Sequence, residues 1–213
     1  MPDVKIPADH GDAANPRLGA VASALSHRGA EVVIDADGEN LVRRHRDRPG
    51  VQVCAQGLPN LLHELVHVVL AGVLDDDHGI DYGAIPFDLS SPAGRAVMFD
   101  ELACCVLSCA YIADVREGES EADTAARVDA WFAEQVGIQP VFYGMEDDPA
   151  GFWRRVGELA RVHATELDGV IDRAYRDVAA LLAAAGADPT LCEPPRRLSF
   201  FTLWSRAAVG AAA

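Results

Sequence analysis

Basic residues are scarce in this chain: 18 lysines and arginines stand against 33 aspartates and glutamates, a formal net charge of −15. That imbalance works against phosphate backbones and anionic membrane surfaces, so neither nucleic acid nor a membrane is expected as a partner. Long charge-free apolar runs are missing as well. The best candidate, residues 96–113, carries Asp100 and Glu101 inside it and falls short of a spanning segment. Met1, Pro2, Asp3, Val4 and Lys5 supply neither the basic region nor the apolar stretch of a secretory leader, and the expectation is a soluble cytoplasmic protein. The five cysteines (Cys54, Cys104, Cys105, Cys109 and Cys192) include no C-x-x-C pair, which argues against a zinc ribbon or a thioredoxin-like site. An odd count in an intracellular chain reads as reduced, buried thiols. Repeats are absent, and the only biased stretches are short alanine-rich patches that suit helices.

What is present points to a folded domain. The chain has 213 residues, half of them hydrophobic, enough for one sizeable core, and 1–213 is expected to form a single domain. Residues 1–14 read as an irregular lead-in. Asn15 and Pro16 resemble an N-cap followed by proline at the first helical position, and Gly29 closes that helix. Glu31 to Ile34 and Val51 to Cys54 read as short strands. Between them lies the one basic cluster, Arg43, Arg44, His45, Arg46 and Arg48, which reads as a solvated face or as an anion or partner contact. A helix entered at Gly57 and Pro59 is followed by an acidic loop, a second buried helix from Ser91 to about Ala113, and three amphipathic helices near 121–136, 149–165 and 168–185. The 187–213 tail, with Leu198, Phe200, Phe201, Leu203 and Trp204, is expected to pack back on the domain. The fold class is α+β, mostly helical, with a small sheet. Nothing in the pattern fixes an oligomeric state.

The chemistry-bearing feature is His63-Glu64-Leu65-Val66-His67, an H-E-x-x-H motif inside a helix that is otherwise apolar. Residues four apart share one helical face, so His63 and His67 can aim both imidazoles at one ion while Glu64 flanks it. Leu61, Leu62, Leu65, Val66, Val68, Val69, Leu70, Val73 and Leu74 cover the other directions. Polar groups on so buried a helix need a common partner, and a divalent metal is one that satisfies all of them.

Two histidines leave a metal site incomplete, since catalytic sites usually take three protein ligands and keep a position open. Glu101 is the leading third ligand: a carboxylate in an apolar helix, 34 residues after His67, room enough for a loop and a returning helix. Asp100 is its neighbour, about 100° away around the helix, so only one of the pair should face inward. Asp81 and His78 compete from the acidic loop. A metzincin arrangement is excluded because Val73 stands at the third-histidine position. Cys105 falls one turn after Glu101 and could line the pocket, although core packing is the expected role for Cys104, Cys105 and Cys109. His163 sits on a late amphipathic helix and reads as a boundary residue; His10, His27 and His45 fall in polar stretches.

Two chemistries follow. With zinc, water would be acidified for attack on a peptide carbonyl while Glu64 takes its proton, and Tyr82, Tyr111 or His163 would stabilise the oxyanion. With Fe(II), His63, His67 and one carboxylate would form a facial triad that supports hydroxylation, with Glu64 beside it. The run from His63 to Gly72, the Asp81-Tyr82-Gly83 step and Phe99-Asp100-Glu101 together resemble the elongation factor P hydroxylase family, over about residues 50–115. Val68 stands where that family has an aromatic residue. The resemblance implies a small non-haem enzyme with iron on two histidines and a downstream glutamate, hydroxylating a side chain of a protein. The expected function is thus a metal-dependent hydroxylase acting on a protein or peptide, Fe(II) favoured, with a zinc metallopeptidase as the alternative. An inactive metal-binding or interaction module is the third reading.

Overall fold

Asn15 starts the first helix as the spacing predicts: its side-chain oxygen accepts from the Arg17 backbone N–H at 3.0 Å, and Pro16 occupies the first turn. In the computed structural model of the chain, residues 15–45, 47, 49–72, 85, 87–114, 116 and 118–210 are described. Helix α1 (Pro16–His27) leads into three strands, β1 (Ala30–Ile34), β2 (Leu41–Arg44) and β3 (Val51–Ala55). Then come α2 (Leu58–Ala71), α3 (Pro92–Tyr111), α4 (Glu121–Phe142), α5 (Pro149–Val162), α6 (Ala164–Ala184), a single turn α7 (Pro189–Cys192) and α8 (Phe200–Gly210). The architecture is α+β and mostly helical, a single domain with one small mixed sheet.

The sheet runs in the order β1-β3-β2, with β1 parallel to β3 and β2 antiparallel to it. Its buried face holds Ala30, Val32, Ile34, Val42, Val53 and Ala55 against α1 and α2. The other face explains much of the basic cluster. Arg43 is paired in register with Gln52, and Gln52 with Glu31. The Arg43 guanidinium donates to Gln52 Oε1 at 2.9 Å, Gln52 Nε2 donates to Glu31 Oε1 at 3.2 Å, and His45 lies 3.6 Å from Glu31. The cluster is therefore a polar, cross-strand-bonded surface at Arg43 and His45; Arg46 and Arg48 lie outside the described residues. The segment carrying it forms β2, a strand that charge at two of four positions had hidden.

Helices α2 and α3 form the most extensive helix pair in the fold. Helix α2 ends at Gly72, whose left-handed φ of 78° lets its N–H reach back to the Val68 carbonyl at 2.8 Å, a conformation that favours glycine. At the start of α3, Ser91 Oγ accepts from Gly94 N at 3.1 Å, and a Cβ on Gly94 would strike the Asp88 carbonyl oxygen, so the turn admits only glycine. From Met98 onward α3 is enclosed, with Phe99, Leu102, Cys104, Cys105, Leu107 and Tyr111 fully buried. It is the central helix of the domain, packed by α2, α4, α6 and α8. Trp204 of α8 stacks on Phe200 and lies 5.2 Å, ring to ring, from Trp153 of α5, and Phe200 and Leu203 are buried. No helix among the described residues is long and apolar enough to cross a membrane.

Candidate metal centre

The apolar surround of α2 decides where its histidines point. Leu61, Leu62, Leu65 and Val66 take the buried directions. His63 and His67, one turn apart, face α3 together, with their rings 4.8 Å apart at a 62° angle. Their Nε2 atoms approach to 3.0 Å. Glu101 of α3 comes to the same point: Oε1 is 3.3 Å from His67 Nε2, and Oε2 is 3.7 Å from His63 Nε2. Donors about 2.0–2.1 Å from a shared ion sit about 3.0–3.4 Å apart; the two nitrogens and the Oε1–His67 pair fall in that range, and Oε2 stands a few tenths of an ångström wider of His63. The His63 side chain is 14% exposed and that of His67 35%, which places the opening on the His67 side.

A fourth group joins them. The ligand atoms of His63, His67 and Cys104 lie within 4.8 Å of one another. Cys104 is three residues after Glu101 and shares its face; Cys105, four residues after it, shares the face too, and the helix places the former thiol in the histidine cluster. Burial, with the Glu101 carboxylate next, pushes the Cys104 thiol well above its ordinary pKa.

Electrostatics keep the donors in usable states. Burial, reinforced by the neighbouring His67, lowers the His63 pKa to about 4, so its ring is neutral at pH 7. Burial pushes the Glu101 carboxyl up, but His67, His63 and the Gln139 amide outweigh it, and Glu101 stays ionised. Gln139 Nε2 donates to Glu101 Oε2 at 3.1 Å. Gln135 lies close enough to the His63 ring to favour its protonated form, yet the buried Nδ1 has no well-aligned partner, nor does Gln139 Oε1. Unfilled hydrogen-bonding capacity in so buried a cluster is costly, about 1–3 kcal/mol per group, and suits a place reserved for function.

Asp100, the competitor of Glu101, turns toward α6, where Arg173 lies 3.8 Å away. Asp81, His78 and Tyr82 lie outside the described residues. Tyr111 donates its hydroxyl to the Cys192 carbonyl at 2.7 Å and takes no part in the cluster. His163 forms the junction of α5 and α6 and pairs with Glu166 at 3.3 Å. One residue at the site went unread in the sequence: Gln139, bonded to Glu101, sits beyond Gly137, where a helix was expected to have ended. The available signal was the pair Gln135 and Gln139, one turn apart on an otherwise buried face of α4.

No protein-family model, curated protein or solved structure matches this chain.

Proposed function

We propose that the chain is a mononuclear metalloenzyme that holds one divalent transition-metal ion on His63, His67 and Glu101 and acts on a protein or peptide. The observation that carries this reading is the convergence of two imidazole nitrogens, 3.0 Å apart, on a carboxylate 3.3 and 3.7 Å away, across two buried helices. The donor types fit a zinc or iron site and would be a poor choice for calcium or magnesium, which prefer all-oxygen shells. Gln139 would orient the Glu101 carboxylate.

The residues around the donors favour hydrolysis. When bound, zinc would supply a Lewis acid that polarises a carbonyl and acidifies water. Glu64, adjacent to His63 in the motif, would take the proton from that water and pass it to the leaving amine. Val97, one turn before Glu101, is 51% exposed and offers an apolar contact that suits a hydrophobic side chain of a peptide. All five cysteines are free thiols, which suits the cytoplasm.

Hydroxylation with Fe(II) is the second reading, favoured by the 3.0 Å spacing of the two nitrogens, close to that of adjacent ligands around an octahedral ion. One experiment separates the two. Apoprotein reloaded anaerobically with zinc or with Fe(II) is incubated with a peptide library and read by mass spectrometry. Cleavage with zinc that disappears in Glu64→Gln supports the hydrolase; a gain of one oxygen with Fe(II) and air supports the hydroxylase. Neither change with either ion, in protein shown to be loaded, overturns the enzymatic reading in favour of an inactive metal-binding module.

A further inference from the structure

A sulfur next to two imidazoles is not needed by either reaction, and the cluster holds one. The Cys104 thiol sits three residues after Glu101, fully buried, with its Sγ within 4.8 Å of the histidine donors. A tetrahedral zinc site with Zn–S about 2.3 Å and Zn–N about 2.0–2.1 Å puts sulfur about 3.5 Å from each nitrogen. The thiol is thus about an ångström or so from a ligating position, a distance that rotation about its own χ1 can cover. Cys104 and Glu101 on α3 face His63 and His67 on α2 as two pairs, each one helical turn apart, across the most extensive helix pair in the fold.

We propose that Cys104 supplies a fourth, sulfur donor to the ion held by His63, His67 and Glu101, so that the loaded protein rests in a closed shell of two nitrogens, one oxygen and one sulfur. The inference rests on the metal-site reading above and adds to it the resting coordination and the ion preference. As the Sγ–metal bond forms, the Sγ–H bond breaks and its proton is released to solvent through the opening on the His67 side. A thiolate donor selects zinc or cobalt over magnesium, calcium and manganese. It also occupies the position that water needs, so turnover requires the sulfur to withdraw, and the enzyme is latent until substrate or a partner displaces it. No other described cysteine has this placement: Cys109 donates toward the Val128 carbonyl, and Cys192 toward Ala187 and Asp188.

Cobalt substitution tests it. Full-length protein, stripped with chelator under reducing conditions, is titrated with Co(II) and followed by absorption. One equivalent should bind with visible d–d bands and an intense near-ultraviolet band from thiolate-to-cobalt charge transfer. In Cys104→Ser the charge-transfer band should vanish while one cobalt still binds, weakened by more than the 10–100-fold typical of losing an outer-shell partner. Cys105→Ala should keep the band. Cobalt bound to the wild type without a charge-transfer band, or a band that survives in Cys104→Ser, overturns the sulfur ligand and leaves the metal site standing. No cobalt bound by the wild type overturns both.

Discussion

Acid should weaken the metal-free protein through His63, and the size of the effect follows from its surroundings. The ring is buried against His67, and its pKa falls from 6.5 to about 4. In the unfolded chain the same imidazole takes up a proton near pH 6.5. Between these values the unfolded state binds more protons than the folded one, so stability falls as the pH drops through that window. The stabilising contribution is fully present above pH 6.5 and lost by about pH 4. A difference of about 2.5 pH units corresponds to about 3 kcal/mol. Urea unfolding of apoprotein in chelator, at pH steps from 7.5 to 4.5, measures it. The difference in unfolding free energy between wild type and His63→Gln should change by about 3 kcal/mol across the series, with the wild type losing more. A difference that stays level with pH would refute the buried, neutral state of His63, and with it the readiness of the ring to act as a ligand.

Two further perturbations test the frame around the site. Gln139→Leu removes the amide that donates to Glu101; metal affinity by chelator competition should fall about 10–100-fold with the helical circular dichroism spectrum unchanged, whereas an undiminished affinity would remove Gln139 from the site. Arg17 is buried, donates to the Leu191 and Glu193 carbonyls at 2.8 and 2.9 Å, and lies over the Tyr111 ring at 5.5 Å. Arg17→Met should therefore cost about 2–4 kcal/mol and lower the melting temperature by about 5–15 °C, and a shift under 2 °C, read by calorimetry, would contradict a fastening role for this residue.

The motif helix was legible because its information is local: leucine and valine at most positions, two histidines one turn apart, glycine just before it and proline in its first turn. Glu101 was legible as a carboxylate inside an apolar helix, and its orientation relative to Asp100 followed from the 100° step between neighbours; Arg173 on α6 draws Asp100 the other way. The strand β2 was not legible, since its single fully buried residue is Val42 and its existence depends on pairing with β3. Helix α4 runs through Gly137 and on past Pro140, both ordinary stop signals, because proline in the final turn removes only one hydrogen bond and the Pro140 carbonyl itself accepts from Tyr143 and Met145. That extra turn is what brings Gln139 to Glu101. The choice between Cys104 and Cys105 could not be made from spacing, because positions three and four residues on share a face; the crossing of α3 against α2 settles which thiol enters the cluster. The break at His163, in place of helices meeting near 165–168, likewise reflects tertiary packing of α5 and α6.

The account stands on one ion shared by His63, His67 and Glu101. Elemental analysis of the full-length protein, dialysed anaerobically against zinc and against Fe(II), with His67→Ala alongside and folding checked by circular dichroism, is the most direct measurement of it. One ion per wild-type chain and none in the folded variant is the predicted result. Equal occupancy in the two proteins, or none in either, would contradict it.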